Sequence, residues 1–242
     1  YVGKRFRTCN VIDDFNREAL HVEIDTSITG QRLIRGFERL RLDRGLPETL
    51  RVDNGHEFLS GEVVAWAEEK EALYRSLYRG RVEPARGLVA FLRRLADRGV
   101  PAAVATAAPR ANLDFALDEA GLRPYFRALV DVGQVARGKP SPDLYLKAAE
   151  MIGVPAARCV AFEDSALGVR AAKGAGLFTV ATPTPWTAAH ALSQADPVLP
   201  SLGGPEQPLD PATARAIGAR WLDLPTLARL RAPSTGGVAA GR

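Results

Sequence analysis

Gly138-Lys139-Pro140-Ser141-Pro142-Asp143-Leu144-Tyr145 is followed, about twenty residues on, by Phe162-Glu163-Asp164-Ser165-Ala166-Leu167-Gly168. The first stretch sets a lone lysine in a proline turn that opens a helix. The second ends an apolar strand in an acidic pair. An ammonium group binds phosphoryl oxygens and offsets the charge that builds up in phosphoryl transfer. A carboxylate at a strand end can hold Mg²⁺, a hard cation that prefers oxygen ligands. The two stretches together predict a phosphate-and-magnesium layout. Lysine is otherwise scarce, occurring only at positions 4, 70, 139, 147 and 173 beside abundant arginine. Lys139 is therefore a rarer choice than an arginine would be, which favours a function there.

Around these stretches helices and strands alternate. Apolar spacing predicts a helix over Pro84 to Arg98 with Leu88, Phe91, Leu92 and Leu95 inward, then a strand over Pro101 to Thr106. A helix from Asn112 to Ala120 ends at Gly121, and a strand runs from Ala128 to Asp131. Ser141 to Ile152 is a helix with Pro142 in its first turn. Cys159 to Phe162 is a strand, Ser165 to Ala175 a helix and Leu177 to Ala181 a strand. Such alternation specifies an α/β fold with a parallel sheet covered on both faces. Beyond Gly203, a short helix is expected from Pro211 to Leu222, and residues 231–242 read as a disordered tail.

Ligands of open parallel sheets bind at the carboxyl ends of the strands. Thr106, Lys139 and Glu163-Asp164 all fall at or just after such ends. Taken singly, the threonine reads as a helix cap, the lysine as a surface charge and the acids as a solvated turn. Their order along alternating strands and helices is what points to one site.

On these motifs, residues 70–230 resemble the haloacid dehalogenase (HAD) superfamily, and within it the β-phosphoglucomutase-like phosphatases. The resemblance implies that Thr106 is the phosphate-binding hydroxyl and Lys139 the catalytic lysine. It implies that Asp164 is a Mg²⁺ ligand with Glu163 as a metal ligand or support beside it. Arg110 and Asn112 would contact substrate phosphate, and Glu71 to Tyr78 would be the last helix of a cap. The implied partner is a small phosphorylated metabolite. The family's reaction begins with an Asp-x-Asp-Gly whose first Asp attacks phosphorus while the second acts as acid and base. No Asp-x-Asp-Gly occurs in this sequence. The resemblance therefore implies an incomplete HAD-like sheet lacking its first strand, and no turnover.

The upstream segment reads differently. Thr8 to Asp13 and Ala19 to Asp25 are strands, and Thr29 to Arg41 is a helix stopped by Gly45-Leu46-Pro47. A short strand over Leu50 to Asp53 precedes a helix from Gly61 to Lys70. Val11-Ile12-Asp13-Asp14-Phe15 and Asp53-Asn54-Gly55-His56-Glu57-Phe58 resemble the catalytic core of DDE-type insertion-sequence transposases. That resemblance, over residues 1–69, implies a truncated RNase H-like fragment, Asp53 as one metal-binding carboxylate of three, and weak DNA binding. The chain as a whole then reads as a chimera.

The formal net charge of +4 permits nucleic-acid contact without demanding it. Arg32, Arg35, Arg39, Arg41 and Arg44 read as the solvated face of an amphipathic helix. No apolar run is long enough for a transmembrane helix, and no signal peptide is visible. Cys9 and Cys159 are too few for a disulfide framework, and neither has a partner at metal-ligand spacing. The expected compartment is the cytoplasm.

Overall fold

The computed structural model describes residues 7–12, 19–25, 29–44, 61–185 and 187–232. The chain divides into two compact units, Tyr1–Tyr78 and Arg79–Arg242. Asp13, Asp14, Asp53 and the strand expected over Leu50 to Asp53 lie outside the described residues, as does the tail beyond residue 232.

In the first unit, β1 (Arg7–Ile12) pairs antiparallel with β2 (Ala19–Asp25), setting Arg7 opposite Asp25 and Val11 opposite His21. Two helices follow, α1 (Gly30–Arg44) and α2 (Gly61–Tyr78). Leu33 and Phe37 of α1, with Ile34 beside them, pack on Val63 and Trp66 of α2. The Phe37 and Trp66 rings stack at 5.5 Å, and Trp66 Nε1 donates to Glu38 Oε1 at 2.7 Å. The indole thus partly buries its ring while its N–H keeps a partner. Arg35, Arg39 and Arg41 lie on the exposed side, and Arg41 pairs with Glu38 one turn away. The two helices read separately over Gly61 to Lys70 and Glu71 to Tyr78 form one. Strong helix formers such as Ala72, Leu73 and Arg75 continue the turn, and no glycine follows until Gly80.

In the second unit the elements are α3 (Leu88–Asp97), β3 (Ala103–Ala105), α4 (Arg110–Glu119), β4 (Ala128–Val130) and α5 (Asp143–Ile152). They are followed by β5 (Val160–Glu163), α6 (Ala166–Gly174), β6 (Phe178–Ala181), α7 (Pro211–Ile217) and α8 (Leu224–Arg231). β3 pairs in parallel with β4, Ala103 opposite Ala128. β5 pairs in parallel with β6, Val160 opposite Phe178. The expected parallel strands are present, but as two separate pairs: among the described residues no ladder joins β3 to β5.

The helices connect the two pairs. On α5, Leu144 and Ala148 pack on Val130, Ala103 and Ala105. The next residue, Tyr145, packs instead among Ala161, Ala171, Ala172 and Leu177, with Ala105 alongside. On α3, Leu88 and Leu95 touch both the cluster built on Leu92, Leu113 and Leu117 and the one built on Phe91, Val180 and Leu199. β3 therefore turns Ala103 and Ala105 toward α5 and Val104 toward the cluster containing Leu92, the alternation a strand demands. Phe162, in the middle of β5, is still 37% exposed and meets Phe91 edge to face at 5.4 Å.

Two boundaries differ from expectation. α3 starts at Leu88 rather than Pro84 because Gly87 has φ 86° and lies so close to the Gly203 carbonyl that no Cβ would fit. Pro211 to Leu222 is not one helix: α7 stops at Gly218 with φ 63°, and α8 starts afresh under an Asp223 cap on the Thr226 N–H. Both ends of this segment enter the core through Leu209, Ile217, Leu222 and Leu227.

Leu144 is fully buried between α5 and the β3–β4 pair. Leu144→Ala is expected to cost about 2–5 kcal/mol, the range for a buried leucine whose surroundings relax only in part. Chemical denaturation checks it, and a loss under about 1 kcal/mol would mean that α5 does not clamp the strands.

Candidate functional site

The carboxyl ends of the strands gather the polar residues. Thr106 directly follows β3, and its N–H donates to the Val130 carbonyl at 2.9 Å. Its hydroxyl accepts from the Ala108 N–H at 3.1 Å, so it caps the turn into α4. Asp131 follows β4, is buried, and accepts from the Gly133 N–H at 2.9 Å. Glu163 ends β5 and Asp164 follows it, while the Thr182 N–H after β6 donates to the Glu163 carbonyl at 2.7 Å.

Lys139 reaches this edge from the loop between β4 and α5. Arg137 pairs with Asp143 at 3.0 Å, and Ser141 Oγ donates to the same carboxylate at 2.6 Å. These contacts, with the Arg137 hydrogen bond the stronger, hold the Asp143 carboxyl below its usual range. They pin the loop at the start of α5.

At the centre is Glu163, whose side chain is only 6% exposed. A buried carboxylate is costly unless it is paired and hydrogen-bonded. Lys139 Nζ and the Tyr145 hydroxyl both donate to its Oε1. Ser165 Oγ stands 3.5 Å from Oε2 and also caps α6, accepting from the Gly168 N–H at 3.1 Å. The Lys139 ammonium lies 5.3 Å from the centre of the Tyr145 ring, within cation–π range. Burial, then the Glu163 charge and its hydrogen bond, push the Tyr145 hydroxyl far above the usual tyrosine range. Asp164 adds to that push.

The structure thus joins Lys139 and Glu163 directly, with Asp164 next to Glu163 in the chain. Thr106 stands at the end of the other strand pair and, among the described residues, shares no hydrogen bond with either. Arg110 is exposed, bonds Asp114 at 3.0 Å and stands 3.8 Å from Asp131. Asn112, in the first turn of α4, is buried on the same side as Leu113 and Leu117 rather than exposed. Asp53 lies outside the described residues. Carboxylate oxygens suit Mg²⁺, but Glu163 Oε1 already accepts from an ammonium and a phenol. No group of three His, Cys, Asp or Glu converges among the described residues.

Sequence reading gave Tyr145 and Gly168 no role. Tyr145 sits on the buried face of α5 with Leu144, Ala148 and Ala149. A tyrosine on such a face needs a partner for its hydroxyl, and that need was the available signal. Gly168 lies against the Glu163 carboxylate, where a Cβ would overlap it. Gly168→Ala is expected to push Glu163 off Lys139 and to cost about 1–3 kcal/mol by overpacking, read by denaturation. The Tyr145 shift has its own consequence. Unfolded tyrosine ionises near pH 10 while buried Tyr145 stays protonated, so its contribution to stability falls as pH rises past about 10. Tyr145→Phe should flatten the stability–pH slope above about pH 10, and an unchanged slope would contradict the burial.

The family model for haloacid dehalogenase-like hydrolases matches residues 8–176. Protein CbbY encoded on a plasmid of Cupriavidus necator is 40% identical over 144 residues, covering 58% of this chain and 56% of that protein. Protein CbbY of Cereibacter sphaeroides is 34% identical over 189 residues, covering 75% of this chain and 76% of its own length. A crystal structure of a CbbY variant from Rhodobacter sphaeroides in complex with xylulose-1,5-bisphosphate superposes with a TM-score of 0.57. It is 27% identical and covers 74% of this chain and 77% of that one. The chain spans about half the length of the first curated relatives it matches. The integrase resemblance finds no support in these comparisons, and the family match begins inside the segment on which it was drawn. An antiparallel hairpin followed by helices is compatible with many α/β designs, and the Asp53-Asn54-Gly55 signature lies outside the described residues. No helix of the described residues is long and apolar enough to cross a membrane. With parallel strand pairs, a lysine and an acidic pair at their carboxyl ends and a family match over most of its length, the chain belongs to the haloacid dehalogenase-like hydrolases.

Proposed function

We propose that the second unit binds the phosphoryl group of a small phosphorylated metabolite of the sugar-phosphate class. The observation that carries this reading is the buried Lys139–Glu163–Tyr145 cluster at the carboxyl end of β5. Lys139 is the cation for phosphoryl oxygens, and Glu163 and Tyr145 hold it in place. Thr106 is a second donor at the end of β3. Asp164, beside the cluster, is the carboxylate proposed to meet a Mg²⁺ ion that arrives with the phosphate. The sugar-phosphate class is supported by the CbbY structure that holds xylulose-1,5-bisphosphate and by another that holds phosphate.

The same reading holds that the centre binds phosphate without turning it over. Hydrolysis by the family's route needs a carboxylate in line with phosphorus and a second one as acid and base. The chain has no Asp-x-Asp-Gly. Thr106, Lys139 and Asp164 can bind a phosphate and an ion, but none is an in-line nucleophile.

Orthophosphate binding followed by calorimetry tests the site. Lys139→Ala should weaken binding about 10- to 100-fold, the scale of one charge-assisted hydrogen bond. Binding unaffected by Lys139→Ala would overturn the reading. With Mg²⁺ present, p-nitrophenyl phosphate and acetyl phosphate should stay at background hydrolysis. Turnover abolished by Asp164→Asn would show that another carboxylate attacks. Asp13, Asp14 and Asp53 would then be the residues to replace, since the family match opens at residue 8.

A further inference from the structure

Tyr145 is 6% exposed on the inner face of α5, among alanines and Leu177. Phenylalanine would fill that space at less cost, because it brings no hydroxyl to satisfy. The hydroxyl is spent on Glu163 Oε1, the same atom that Lys139 uses. An oxygen that accepts from two donors holds each less firmly than it would hold one. The face of the Tyr145 ring attracts the same ammonium independently of Glu163. Lys139 is therefore held from two sides while its counter-ion is shared. The other carboxylate oxygen is confined by Ser165 and by the backbone of Gly168, so Glu163 cannot turn away from the pair.

We propose that Tyr145 is a positioning residue, acting through Glu163 to keep Lys139 available to an incoming phosphoryl oxygen. The inference deepens the phosphate-binding reading and rests on it for the ligand. Without the hydroxyl, Glu163 has only Lys139 to pair with, the pair tightens, and a phosphate must compete harder for the ammonium. Without the Glu163 charge there is nothing to compete with, and the hydroxyl no longer matters.

The test is a double-mutant cycle on the full chain with orthophosphate as the probe. Tyr145→Phe keeps the ring and removes only the hydroxyl. It should weaken orthophosphate binding about fivefold, the scale of one shared hydrogen bond. Glu163→Gln should bind more tightly than the unaltered protein, and adding Tyr145→Phe to it should change nothing further. An equal loss in both backgrounds, or none in either, would make the tyrosine a packing residue and overturn the proposal. A ligand-free readout runs beside it: exchange of the Lys139 ammonium protons with water, followed in ¹⁵N spectra. Exchange should slow in Tyr145→Phe and be the same in Glu163→Gln and the double variant. If no protein in the set binds orthophosphate, the phosphate-binding reading fails, while unchanged ammonium exchange would separately sink the role of Tyr145. A Tyr145→Phe protein that does not fold would make the hydroxyl a structural support and would also overturn it.

Discussion

The second unit depends on how one buried carboxylate is compensated. Glu163 ends β5 inside the protein, where an unpaired charge would cost several kcal/mol. Its partners come from separate places in the chain: Lys139 from the loop before α5, Tyr145 from α5 itself, Ser165 and Gly168 from the start of α6. Satisfying one side chain therefore fixes the relative positions of a loop, two helices and a strand end. The same compensation leaves a cation at the carboxyl edge of the strands, where parallel sheets bind their ligands. Stability and site are two consequences of one ion pair.

The divided sheet is the second constraint. Parallel strands are ordinarily buried on both faces and bonded on both edges. Here β3 and β5 each carry a ladder on one side only among the described residues, and Phe162 keeps part of its ring exposed. The two pairs are held by helices that contact both. Leu144 and Tyr145, neighbours on α5, reach different pairs, and Leu88 and Leu95 of α3 do the same from another cluster. Side-chain packing thus does part of what hydrogen bonding does in a continuous sheet.

Much of this was legible before the structure. Lys139 stood out because lysine is scarce, and Glu163-Asp164 because acids ended an apolar run. The alternating helices and strands of the second unit follow directly from apolar periodicity. What local pattern could not show was contact. Tyr145 reads as one more apolar position on α5 until its hydroxyl is seen on Glu163. Gly87 and Gly168 read as loop and helix glycines until the Gly203 carbonyl and the Glu163 carboxylate are seen against them. Glu163, read as a metal ligand or as support beside Asp164, pairs with Lys139 and Tyr145, because a buried acid must first satisfy itself. The DDE-type signature illustrates the opposite error, since a specific short motif over residues 1–69 drew a family that the wider comparison does not support.

Crystals of the full chain grown with orthophosphate and Mg²⁺ would test the central claim most directly. The account predicts a phosphate in hydrogen-bond contact with Lys139 Nζ at the carboxyl end of β5, with Glu163 still facing Lys139 and Tyr145. Phosphate bound elsewhere, or a Lys139 turned to solvent with Glu163 paired to some other group, would contradict it.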